Sequence, residues 1–336
     1  MTARRPTEPA DASKRHLPVP SRSDLLQLVR LMPLGLISWL LPISWLWPIS
    51  CAIGGMTRLW KRRSHPTDLL ISRTFRTRLS AAESAAIAAR WRNRMREQSM
   101  LMLALLPPWR RWQLAIRWHG MEHLTRALEL GSGAILWMTG VYTTPILHIA
   151  LWRAGIAHCV LARPEHGFST SPFFIRFINP FWIKVEARYL AERILITDDD
   201  PGRALLFTGE RLKSNRAICI ALGRQAWKLV PAPFRDVELQ VPTGPINLAR
   251  TFGATLLPVF VFRADDGCYE ITVEPPLPTD PAADLDYRAI AQNFATLLEP
   301  LALRHPDQFG WETVGLVATP QAPKGPRREP GPRSSS

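Results

Sequence analysis

The sequence predicts an α/β fold, a layered and mostly parallel sheet flanked by helices and preceded by an N-terminal membrane anchor. Three observations point there. From about Trp118 onward, short apolar runs alternate with capped helical segments, the pattern of a sheet whose strands are joined by crossover helices. Of the 336 residues, 46% are hydrophobic and 21% charged, enough to bury a core and too apolar for a disordered chain. The stretch 31–57 carries no charge at all; a helix needs ~20 mainly apolar residues to cross a bilayer, so this run is long enough.

Taken in chain order, residues 1–22 hold five basic and two acidic side chains among Pro, Ala and Ser, the composition of a disordered basic tail. The anchor is expected over 23–57. It contains the near-repeat LISWLL–PISWLW–PISCAI, in which Pro42 and Pro48 kink or break a helix. Trp39, Trp45 and Trp47 are of the type that settles at membrane interfaces, and Arg58, Lys61, Arg62 and Arg63 follow. That order puts the basic end in the cytoplasm and disfavours a secretory signal. The expectation is one kinked spanning helix or a re-entrant wedge, with the rest of the chain on the cytoplasmic side.

A basic helical region covers 58–117. Ser80-Ala-Ala-Glu83 is a capping box opening a helix to about Leu106, with Arg90, Arg92, Arg94 and Arg96 opposed by Glu97. Beside an anchor, each Arg near an anionic inner leaflet contributes ~1 kcal/mol, so membrane docking is expected of this helix. The chain's net charge is +14 with a pI near 10.6, which also suits a polyanion. No helix-turn-helix, zinc-finger or RNA-recognition signature appears, so nucleic acid is disfavoured as a partner.

The layered domain is expected over 118–317. Helices are read at 121–130, from Gly140 to Arg153, at 201–212, from 245 to 251 and at 284–304; strands at 134–139, 158–162, 217–222, 254–263 and 269–274. Asp200-Pro201 is an N-cap followed by a first-turn proline, which explains the acidic run Asp198-Asp199-Asp200 without a metal. Residues 318–336 form a second basic, Pro/Gly/Ser-rich tail. Cys51, Cys159, Cys219 and Cys268 are scattered without CxxC or Cys/His spacing, which argues against a disulfide scaffold and a metal centre. No cofactor is expected.

Several segments together carry a resemblance. They are HGMEHLTRALELGSGAILWMTG, LARPEHG, VPAPFRDVELQVPTGPINLARTFGATLLPVFVFRADDGCYEITVEPPL and HPDQFGWE. In this order behind an apolar N-terminus, they resemble the late acyltransferases of lipid A biosynthesis, the lauroyl/myristoyl transferase family. The resemblance implies a glycerolipid-acyltransferase-like fold at the cytoplasmic face of a bacterial inner membrane. It implies transfer of a fatty acyl group from an acyl carrier protein or acyl-CoA thioester to a hydroxyl of a membrane glycolipid. In that family a His, followed five positions later by Asp or Glu, takes the hydroxyl proton and is oriented by the carboxylate.

Here the chain departs from the pattern. Val141 and Ile146 stand where the His and the carboxylate are expected, and none of the eight His residues has an acidic residue five positions later. A positioned base is worth ~10²–10⁴ in rate, and neither aliphatic side chain supplies one. Replacement bases are sought among His148, two helical turns beyond 141, and Tyr142, Thr143 and Thr144. The resemblance also suggests Arg163, Gly244, Pro245, Arg250 and Arg263 as substrate-binding positions. Three readings remain: an acyltransferase with a substitute base acting on a lipid A-like or other acylated lipid or pigment, a non-catalytic acyl- or glycolipid-binding partner of an active transferase, and a membrane-tethered polyanion binder.

Overall fold

The computed structural model describes residues 19–60, 66–139, 144–163, 171–197, 199–223, 226, 228–279, 286–311 and 315–318. The chain opens with α1 (Arg22–Leu40), a 3-10 turn (Ile43–Trp45), α2 (Leu46–Trp60), α3 (Pro66–Thr74), α4 (Ala81–Ala104) and a second 3-10 segment (Pro108–Gln113). Then come β1 (Ile116–His119), α5 (Met121–Glu129), β2 (Ala134–Met138), α6 (Thr144–Arg153), β3 (His158–Ala162), α7 (Pro172–Phe177), α8 (Asn179–Glu186) and β4 (Glu192–Leu195). The remainder is α9 (Pro201–Lys213), β5 (Ala217–Ala221), β6 (Leu229–Phe234), β7 (Val237–Pro242), α10 (Gly244–Phe252), β8 (Thr255–Arg263), β9 (Tyr269–Val273), α11 (Tyr287–Arg304) and β10 (Gly315–Ala318).

Seven strands form one sheet in the order β1-β9-β8-β2-β5-β3-β4. Five of them, β8, β2, β5, β3 and β4, run parallel, while β9 is antiparallel to β8. The mostly parallel sheet is therefore present, with helices against both faces. A second antiparallel sheet, β10-β7-β6, was not expected. Pro231 and Pro233 mask β6 in the sequence; they lie exposed on an edge strand, where a missing N–H breaks no ladder.

Alternation along the strands divides the core. Ile135 and Trp137 of β2 face one cluster with Phe294 and Leu298 of α11 and Phe234 of β6. Ala134, Leu136 and Met138 face the other, with Leu147, Ala150 and Leu151 of α6. The capping box at Ser80 and Glu83 forms as expected. From it α4 serves both clusters, through Ile87, Ala88 and Trp91 in the first and Met100, Leu101 and Ala104 in the second.

The uncharged run does not make one helix. It breaks at Leu41, whose extended backbone precedes Pro42, as the restriction on pre-proline residues requires. Two helices result, each packed along α4. Polar hooks fix them: Ser50 Oγ donates to the Asn93 carbonyl at 2.5 Å, and Arg96 donates to the Ser50 carbonyl at 2.7 Å. A Cβ on Gly54 would sit 2.1 Å from Asn93 Oδ1, so this contact needs glycine. Arg110 reaches the last turn of α1, donating to the carbonyls of Ser38 at 2.5 Å, Trp39 at 2.8 Å and Leu41, which satisfies a helix C-terminus with a cation. Among the described residues, no helix is long and apolar enough to cross a membrane, so the expected spanning helix has no support here.

The Arg-rich helix also differs from expectation. Arg92 pairs with Asp68 at 2.5 Å, Arg94 is buried and Arg96 binds α2. Helical phase rotates these side chains into the packing of α2, α3 and α4, so they do not form a basic membrane-facing surface. Instead α1 presents an apolar stripe, with Leu25, Val29, Met32, Leu36 and Leu40 exposed at successive helical turns. The 1–18 and 319–336 parts of the two tails, with Lys61, Arg62 and Arg63, lie outside the described residues.

Candidate functional site

In a parallel sheet, ligands bind beyond the carboxyl ends of the strands. That edge is where β2 ends at Met138, β3 at Ala162 and β5 at Ala221. Thr144 opens α6 just beyond it, and Arg163, half-buried, follows β3. The Arg163 carbonyl accepts from Arg193 at 3.1 Å. α10 packs on β2 and β8 and turns into β8 at Gly253, whose φ of +65° suits glycine. The helix thus runs opposite to the parallel strands and returns Gly244 and Pro245, at its positive end, toward the same edge. Gly244 is exposed and Pro245 buried. Arg250 lies in the last turn of α10, toward the opposite edge.

Val141, Tyr142 and Thr143 lie outside the described residues. Ile146 lies inside them and is 1% exposed, packed in the second apolar cluster. Where the resemblance asks for a carboxylate, the fold has built core.

Arg263 stands past the open edge on β8, where it is buried. β8 runs four residues past Val259, which is level with Met138, and carries Arg263 into a buried ion network. Arg263 Nε contacts Glu97 Oε1 at 3.3 Å, Glu97 Oε2 pairs with Arg94 at 3.0 Å, and Arg94 Nε pairs with Asp307 at 3.2 Å. The Arg94 guanidinium also stacks 3.5 Å from the Trp47 ring centre. Gln308 brackets the Arg263 backbone, accepting from its N–H and donating to its carbonyl, each at 2.7 Å. Two cations and two anions balance here, and the HPDQF segment clasps Arg263. Asp307 and Gln308 were not singled out by sequence reasoning; their position in the quoted motif was the available signal.

His148 is fully buried as well, on the α6 face turned toward β3 and β5. The chain crosses back through α6 before entering β3 at His158, so His148 lies well inside the fold from the open edge. Its Nδ1 is 3.1 Å from His158 Nε2, and its Nε2 is 3.6 Å from Glu186 Oε1. His158 Nδ1 is 3.1 Å from the Ile156 carbonyl. Burial pulls the His158 pKa down, partly offset by that carbonyl and by the Glu186 charge. Cys219 Sγ completes the group, all three ligand-type atoms lying within 4.8 Å of one another. Burial pushes the Cys219 thiol strongly up, so alone it stays protonated. Sequence reasoning missed His158, Glu186 and Cys219, because nothing local links four residues on α6, β3, α8 and β5.

A family model of bacterial lipid A biosynthesis acyltransferases matches residues 26–312. No curated protein matches the chain.

Proposed function

The chain belongs to the bacterial lipid A biosynthesis acyltransferase family, and on that premise we propose that it binds an acyl chain and a glycolipid at a membrane surface without performing its relatives' transfer step. The donor form would be an acyl carrier protein or CoA thioester, the acceptor a membrane glycolipid, and the location the cytoplasmic face of a bacterial inner membrane. One observation carries the reading: Ile146 is sealed in apolar core at the position of the expected carboxylate. A base at 141 would have no partner there to hold its tautomer or to stabilise the imidazolium. His148 is no substitute, since it is enclosed and engaged with His158.

Membrane contact is supported by exposed apolar side chains on α1 and on the second 3-10 segment. The stripe on α1 adjoins a cleft of about 680 Å³ lined by Trp39, Trp109, Arg110 and Phe181. Trp109 and Trp112 stand well exposed, and Arg111 stacks on Trp152 next to Trp112. Apolar stripe, tryptophans and cationic rim are the parts of a helix lying in the interface plane on an anionic leaflet.

The test is to incubate the purified chain with labelled acyl carrier protein thioester and extracted membrane glycolipids. Binding without labelled product is expected. Formation of acylated glycolipid by the unaltered chain would overturn the reading. The Val141→His/Ile146→Glu pair probes the lost site directly, and a melting curve must accompany it because residue 146 is buried. Acyl transfer proper is the second reading, favoured by the match running unbroken through residues 26–312. Under it the base comes from outside positions 141 and 146, and product forms without any substitution.

A further inference from the structure

We propose that His148, His158 and Cys219 bind one zinc-type ion inside the fold, at a site separate from the lipid-handling edge. The ligand set is mixed N/S, which suits zinc and the borderline metals near it. Two nitrogens each ~2.0–2.1 Å from one tetrahedral zinc lie about 3.3 Å apart; His148 Nδ1 and His158 Nε2 are 3.1 Å apart. Cys219 Sγ lies within 4.8 Å of a ring nitrogen of each histidine. Side-chain adjustment of about 1 Å brings it to the ~3.6 Å that a Zn–S bond implies.

The surroundings orient both rings for this. The outer nitrogen of His148 faces the Glu186 carboxylate, and the outer nitrogen of His158 faces the Ile156 carbonyl. The Ile156 carbonyl holds hydrogen on the outer nitrogen of His158, which leaves its inner nitrogen a lone pair aimed toward His148 and Cys219. Metal-binding histidines are held in this way, through a carboxylate or carbonyl on the distant nitrogen. In the metal-free protein the two rings meet through these inner nitrogens and lie within 13° of parallel.

A hydrogen bond between the rings gives no reason for the sulfur, whereas an ion does. Zn²⁺ bound with Cys219 as thiolate beside the Glu186 carboxylate leaves no net charge in the apolar cluster around β3 and β5. Binding releases the thiol proton.

The test uses the full chain, chelator-treated and then titrated with Co²⁺ and Zn²⁺. Expected are one ion per chain, a thiolate-to-cobalt absorption band, proton release on binding in weak buffer, and a melting temperature raised by Zn²⁺. Cys219→Ser should abolish the band and the zinc-dependent melting shift, and Glu186→Gln should weaken binding about 10–100-fold. No band and no zinc-dependent shift in the folded unaltered chain would overturn the site. Retention of the band and affinity in Cys219→Ser would overturn it equally. Neither readout involves lipid or acyl donor, so the result is independent of the proposed function.

Discussion

Among the described residues, two of the buried polar groups are built oppositely. The Arg94–Glu97–Arg263–Asp307 network joins α4, the tip of β8 and the segment after α11 with permanent cations that always carry charge. The Glu186–His148–His158–Cys219 group lies between α6, α8, β3 and β5 and is made of side chains that gain or lose protons or bind metals. The first is complete as it stands: each Arg has its carboxylate, and Gln308 closes the backbone. The second brings two ring nitrogens and a cysteine sulfur together. A network of permanent charges locks elements together, whereas one of ligand-type side chains can take an ion.

The largest effect should come from breaking the first group. Glu97→Ala leaves Arg263 buried without its carboxylate and removes one of the two from Arg94, which should cost about 3–5 kcal/mol of stability in denaturant unfolding. An unchanged midpoint would show that the network is not what joins α4 to β8. Ile146→Glu should come next. It places a carboxylate in the second apolar cluster and should lower stability by about 2–4 kcal/mol while raising that carboxylate's pKa. Near-normal melting would mean that the cluster opens there and that the lost catalytic position remains accessible.

The two groups should also separate by pH. The His158 pKa is depressed in the folded protein, so between that value and about 6.5 the unfolded chain binds more protons. Stability from this residue is present above about pH 6.5 and is lost as pH falls. The groups facing His158 are His148 from α6, Glu186 from α8, Cys219 from β5 and the Ile156 carbonyl. His305, also held below its ordinary value by burial, adds a slope of the same sign. His158→Gln should therefore flatten the metal-free stability profile between pH 7 and 5 without removing all of it, and an unaltered slope would sink the assignment. The arginines should contribute nothing to this slope. The smallest stability effect belongs to the surface: Trp109→Ser with Trp112→Ser should shift unfolding by less than about 0.5 kcal/mol per site. It should nevertheless reduce co-sedimentation with anionic vesicles several-fold; undiminished binding would remove the tryptophans from the docking face.

Much of the fold was legible because its signals are local. The Ser80 capping box, the Asp200-Pro201 helix start, the Gly253 helix stop and the apolar runs of β2, β5 and β8 each depend on residues a few positions apart. The second sheet was not, since β6 hides two prolines that only its edge position tolerates. The direction of the Arg-rich helix was misread for a related reason. Composition counts Arg94 and Arg96 as surface charge until Trp47, Ser50, Glu97 and Asp307 are brought against them.

The sequence by itself determined the family, the alternating α/β order and the presence of Val141 and Ile146 where the resemblance implies a His and a carboxylate, because these are properties of residue identity and near-neighbour spacing. Only the tertiary structure decided that the uncharged N-terminal run folds back as two helices on α4, that Arg263 is buried in an ion network, and that two distant histidines, a glutamate and a cysteine meet in one place. Those outcomes depend on contacts across tens to hundreds of residues. They are set by which faces the helices bury and by strand register, and neither is written in any local stretch of the chain.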